Sequence, residues 1–164
     1  MANLILNEGR FMFNFTSCVN AFTADKPQYN GLSAVDFIVE TDEKFLFIEI
    51  KDPDNPQAQK FKNAKNFIEE LESPAKISGK FKDSLLKELA KGETFVKPIE
   101  YILVLECESL NSAQRHRIFT QVSCAVPQFK EAFFPAIKSA SFSLFDITSF
   151  QKSFPLFKVT QTTL

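Results

Sequence analysis

Asp36, Glu49 and Lys51 are the residues of this chain whose types and spacing could do chemistry. Two carboxylates and an ammonium set among Phe, Ile and Val are costly to bury without compensation. If they converge, Asp36 and Glu49 are hard oxygen ligands for Mg²⁺ or Mn²⁺, and the Ile50 carbonyl can add a third. Lys51 then stands where it can orient or help deprotonate a water and steady a phosphate. The plainer alternative is a salt bridge at a strand end, because Asp52-Pro53 follows Lys51.

Convergence depends on strand register. Val35–Glu40 and Phe45–Lys51 are rich in Val, Ile and Phe and flank the polar run Thr41-Asp42-Glu43-Lys44, which predicts a β-hairpin. A loop of either two or four residues sets Asp36 directly opposite Glu49. Side chains alternate along a strand, so Glu49, Lys51 and the cross-strand Asp36 then share one face.

This pattern, an Asp, twelve residues, then Glu-Ile-Lys at the end of an apolar strand, resembles the signature of the PD-(D/E)xK nuclease superfamily. The nearest likeness is to its Holliday-junction-resolvase and RecB-nuclease-like branches. The resemblance implies a single α/β domain over residues 1–164 with a restriction-endonuclease-like core, a mixed sheet flanked by helices. It also implies a divalent-metal-dependent phosphodiesterase acting on DNA, with Asp36, Glu49 and Lys51 catalytic and the metal on Asp36, Glu49 and the Ile50 carbonyl. Many relatives carry a further acid ahead of the Asp strand, and Glu8 is the candidate here. The rival expectation is a non-catalytic module of the same fold serving protein–protein association, as a homodimer or with another protein.

The elements around the hairpin must position these groups. Leu4, Leu6, the turn-like Asn7-Glu8-Gly9-Arg10, then Phe11, Phe13 and Phe15 suggest strands over 3–24, although Phe11, Phe15, Val19 and Phe22 also fit a helical stripe. Asp54 or Asn55 can cap a helix running to about Leu71; the resemblance implies that this helix lies beside the site, so that its early Lys60, with Gln57 or Gln59, would contact phosphate, set against a solvated lysine face. Residues 75–80 read as a Lys/Ser/Gly loop before a second helix marked by Phe81, Leu85, Leu86 and Leu89. Ile99–Glu106 predicts a central strand buried on both faces. Asn111 can cap a helix ended by Pro127, which carries Arg115-His116-Arg117, the one dense positive cluster. Arg115 and Arg117 are candidate phosphate contacts, set against a solvated helix face. Ser141–Ile147 predicts a late strand, and residues 161–164 a frayed tail.

Composition limits the alternatives. A chain 45% hydrophobic and 24% charged over 164 residues can bury a core, and most of its 20 Phe rings are expected there. The net charge of −1 argues against a general nucleic-acid coat protein while leaving room for an acidic metal site with local basic contacts. No long apolar run or basic leader is evident, so no membrane partner is expected. Cys18, Cys107 and Cys124 are odd in number and widely spaced, which suggests reduced, buried thiols and a cytoplasmic protein.

Overall fold

The computed structural model describes residues 4–24, 31–56, 71, 73–127, 129 and 135–162. Among them, eight strands form: β1 (Ile5–Glu8), β2 (Phe11–Asn14), β3 (Asn20–Thr23), β4 (Phe37–Glu40), β5 (Phe45–Lys51), β6 (Ile99–Leu105), β7 (Ala140–Phe145) and β8 (Lys158–Gln161). Three helices are α1 (Pro74–Ala90), α2 (Ser112–Ala125) and α3 (Ile147–Ser153). The class is α/β, as expected, and residues 3–24 contribute strands rather than a helix.

Five strands make a mixed sheet in the order β3-β4-β5-β6-β7. The first three are antiparallel to one another, and β5, β6 and β7 run parallel. The second sheet, β1-β2-β8, is wholly antiparallel. Side chains of the five-stranded sheet point alternately into two cores. Phe47, Tyr101 and Leu103 pack with Phe81 of α1 and with Ile118 and Val122 of α2. Leu46, Ile48, Ile102 and Val104 pack with Phe13 of β2, Phe150 of α3 and Phe157. Helices α1 and α2 therefore flank one face, while the small sheet and α3 cover the other. β6 is buried almost throughout, as its continuous apolar run required.

Several local expectations need correction. Residues 75–80 are not a loop: α1 begins at Pro74, which suits the first helical turn, and Ile77 and Phe81 are both buried. The strand expected over Ser141–Ile147 stops at Phe145, and Ile147 opens α3. Gln161 is paired with Phe11 across β2–β8, and the Thr162 amide donates to the Arg10 carbonyl, so these two residues are not a frayed tail. Of the three free cysteines only Cys107 is buried; Cys18 is half-buried and Cys124 exposed. The Asp54 carboxylate accepts a hydrogen bond from the Glu108 amide at 2.7 Å. The helix expected up to Leu71, with Lys60, Gln57 and Gln59, lies outside the described residues. Among the described residues no helix is long and apolar enough to cross a membrane.

Candidate metal and phosphate site

The β4–β5 hairpin has the register that convergence demands. Phe37 pairs with Ile48 and Ile38 with Phe47, so one step back Asp36 meets Glu49. The polar loop closes through Thr41, whose amide donates to the Lys44 carbonyl and whose side chain holds both ends of the same turn. Glu49 follows Phe47 by two residues and therefore emerges on the α1 side of the sheet. It is fully buried, and Asp36 is 8% exposed.

Helix α1 is fastened over this point. Phe81 packs edge-on against Phe47 with ring centroids 5.5 Å apart and stacks on Tyr101 at 5.2 Å. The Tyr101 hydroxyl donates to the Ile77 carbonyl at 2.8 Å. Ser84 Oγ accepts the Val35 amide at 2.9 Å, and Asp83 accepts both the amide and hydroxyl of Ser33. These contacts fix the segment that leads into Asp36. They also bring Lys80, next to Phe81, over Glu49.

Glu49 Oε1 is consequently shared by two ammonium groups, Lys51 Nζ at 2.5 Å and Lys80 Nζ at 2.7 Å. Its other oxygen, Oε2, is buried without a hydrogen-bond partner. Asp36 Oδ2 accepts the Ile50 amide at 2.7 Å, which holds the Ile50 main chain against the carboxyl group. Burial, then the negative charges of Glu49 and Glu8, push the Asp36 carboxyl up to about 8, against opposing pulls from the Lys80 ammonium and the Ile50 amide. At neutral pH Asp36 is thus largely protonated in the metal-free protein. Burial opposes charge on Lys51, yet the Glu49 charge and hydrogen bond, helped by Asp36, hold its pKa above that of an ordinary lysine.

Glu8 reaches this site from the other sheet. It ends β1, and its charge bears on Asp36. The β1–β2 turn is clamped to the residues after β5 by a two-pronged ion pair, Arg10 Nε to Asp52 Oδ2 at 2.7 Å and Nη2 to Oδ1 at 2.9 Å. Gly9, in the left-handed region at φ 55°, has Asn55 Nδ2 at 3.4 Å from the place a Cβ would occupy. The turn therefore sits close against the end of the hairpin.

The fold brings together Asp36, Glu49, Ile50, Lys51 and Glu8. Arg115 stands over the end of β6, where it donates to the carbonyls of Leu105, the ladder partner of Lys51, and Cys107 at 3.2 and 3.0 Å. Two of its five donors thus hold the loop after β6. Arg117 is exposed on α2. Lys80 was missed by sequence reasoning. The signal was the i, i+4 spacing of Ile77 and Phe81, which extends the α1 stripe backwards and sets Lys80 beside its buried face.

Among the described residues no group of three or more His, Cys, Asp or Glu side chains is placed to hold a metal ion. Glu49 Oε1 is turned to two lysines and Asp36 Oδ2 to an amide. The donors nevertheless suit a hard divalent cation. Both are carboxylates, they face each other across one ladder, and Glu49 Oε2 is a buried acceptor with nothing to accept. No protein-family model, curated protein or solved structure matches this chain.

Proposed function

We propose that this chain is a divalent-metal-dependent phosphodiester hydrolase acting on DNA, an endonuclease-like protein of the PD-(D/E)xK type. The supporting observation is the facing pair Asp36 and Glu49, with one Glu49 oxygen buried and unmatched beside the Lys51 ammonium. Asp36 and Glu49 would hold Mg²⁺ or Mn²⁺, the Ile50 carbonyl would add an oxygen, and Glu8 would serve as the accessory acid. When bound, such an ion polarises the scissile phosphate and acidifies the attacking water.

The chain's own residues do the rest. Asp36 gives up its proton when it takes a cation, because the Glu49 and Glu8 charges that opposed its ionisation are then neutralised. Lys51 keeps its proton, so it acts as a fixed positive donor that orients water and steadies the phosphate. Lys60, Arg117 and the remaining donors of Arg115 are the proposed contacts to more distant phosphates. Three free cysteines fit the reducing cytoplasm.

A second reading, a non-cleaving module that associates with a second copy or another protein, draws on one observation. Phe154, Pro155 and Leu156 line a cavity of about 380 Å³ at the turn end of the β4–β5 hairpin, and Leu156 is 72% exposed. Incubating the purified protein with Mg²⁺ or Mn²⁺ and duplex, single-stranded and branched DNA separates the two. Cleavage by wild type that is lost in Asp36→Ala and Glu49→Ala, with DNA binding retained, supports the hydrolase. No cleavage of any substrate, or cleavage undiminished in Asp36→Ala, refutes it.

A further inference from the structure

Glu49 carries more positive charge than it needs. Lys51 alone would neutralise it, since that ammonium lies 2.5 Å from Oε1. Lys80 nevertheless places a second ammonium 2.7 Å from the same oxygen, from a helix 31 residues further along the chain. The two lysines crowd one oxygen while Oε2 has no partner. The two ammonium groups repel one another at that oxygen, a cost that an incoming anion would relieve.

The two lysines are anchored on different elements. Lys51 stands on a central strand paired on its β6 side, with its carbonyl accepting the Glu106 amide. Lys80 hangs from α1 on a flexible four-carbon stem, with its side chain 28% exposed. Its Cα is fixed by Phe81 against Phe47 and Tyr101, so the ammonium can leave Glu49 without any movement of the backbone.

We propose that Lys80 is a displaceable counter-ion: it holds Glu49 in the metal-free protein, is released when a divalent cation takes that carboxylate, and then binds a non-bridging oxygen of the phosphodiester. This rests on the reading of Asp36 and Glu49 as cation ligands. It couples the two halves of loading, because the cation that binds Glu49 also frees the charge that receives the phosphate. The cation therefore binds first, and the DNA phosphate binds more tightly once it is present.

The test is Mn²⁺ titration by calorimetry on wild type, Lys80→Met and Lys80→Arg, with cleavage measured in parallel. Removing the competing ammonium should tighten Mn²⁺ binding about tenfold in Lys80→Met, while Lys80→Arg stays near wild type. Cleavage by Lys80→Met should nevertheless fall about a hundredfold, from loss of the phosphate contact. A residue that only supported the fold would weaken both together. Equal or weaker Mn²⁺ binding by a folded Lys80→Met overturns the counter-ion role and leaves the metal-site reading intact. Absence of Mn²⁺ binding in both wild type and Lys80→Met overturns both. Thermal melting checks folding, and Lys80→Gln repeats the comparison if the Met variant does not fold. If neither neutral variant folds, the ammonium's task is structural and the proposal falls.

Discussion

Asp36 and Glu49 face each other across the β4–β5 ladder, both nearly or wholly buried, and Asp36 is pushed up to about 8 while Glu49 is held between two lysines. Two carboxyl groups side by side thus have different surroundings. Burial and a like charge favour the neutral form of one, and two adjacent cations offset the charge of the other.

A stability slope follows. The ordinary aspartate value is 3.8, and the folded value is about 8. Between these, the folded protein holds a proton that the unfolded chain has released, so stability falls as pH rises through that window. In chelator-treated protein, the unfolding free energy from urea titrations should be higher at pH 5 than at pH 8. Asp36→Asn, which cannot ionise, should show a much flatter slope. An equal slope in that variant would place the effect on another group.

Metal binding should have the opposite pH dependence. A cation competes with the proton on Asp36, so Mn²⁺ affinity is expected to rise with pH, by up to about tenfold per unit, and level off above about 8. Calorimetry in two buffers of different ionisation enthalpy would count the released proton directly.

Removing Glu49 should destabilise the metal-free protein. Glu49→Ala leaves the ammonium groups of Lys51 and Lys80 facing each other without their shared oxygen. Both side chains are 28% exposed, so the cost falls below that of a fully buried pair, at about 2 kcal/mol. Added Mn²⁺ should raise the Tm of wild type and leave that of the variant unchanged.

The Arg10–Asp52 pair should act on stability and rate together. Its two-pronged geometry and the low exposure of Asp52 suggest a loss of about 1–2 kcal/mol in Arg10→Ala. If it positions Glu8, the same variant should lose kcat with little change in KM for DNA. A double-mutant cycle with Glu8→Gln should be non-additive in kcat.

Phe81→Ala should cost about 3–4 kcal/mol, because it empties a fully buried ring site between Phe47 and Tyr101. Denaturant titration would measure it. The milder Phe81→Leu should keep most of the stability and the placement of Lys80.

What could be read from the chain and what could not divide by the range of the interaction. The register of Asp36 against Glu49 was legible because period-two alternation and a short polar turn are local signals. The central position of β6 followed from an uninterrupted apolar run, and the Asn111 cap from its residue type ahead of the helix; Gln114 completes a capping box. Lys80 on Glu49 and Arg10 on Asp52 join residues 31 and 42 positions apart, and no local pattern specifies such partners. Lys, Ser and Gly in 75–80 suggested a loop, but tertiary packing of Ile77 and Phe81 outweighed the weak helix propensity of Ser78 and Gly79. β8 was hidden for a similar reason: its short polar sequence forms a strand because β2 offers an edge.

That pairing of β2 with β8 bears on how the protein is made. The hairpin carrying Glu8 precedes the rest of the fold in the chain, yet its β2 edge is covered by residues 158–161, and the Thr162 hydroxyl donates to the Arg10 carbonyl across 152 positions. A growing chain can build the β4–β5 hairpin and its carboxylate pair early. The β2 edge, by contrast, stays uncovered until the β8 segment has been made. The small sheet that carries Glu8 is thus completed only after every strand of the five-stranded sheet has been made.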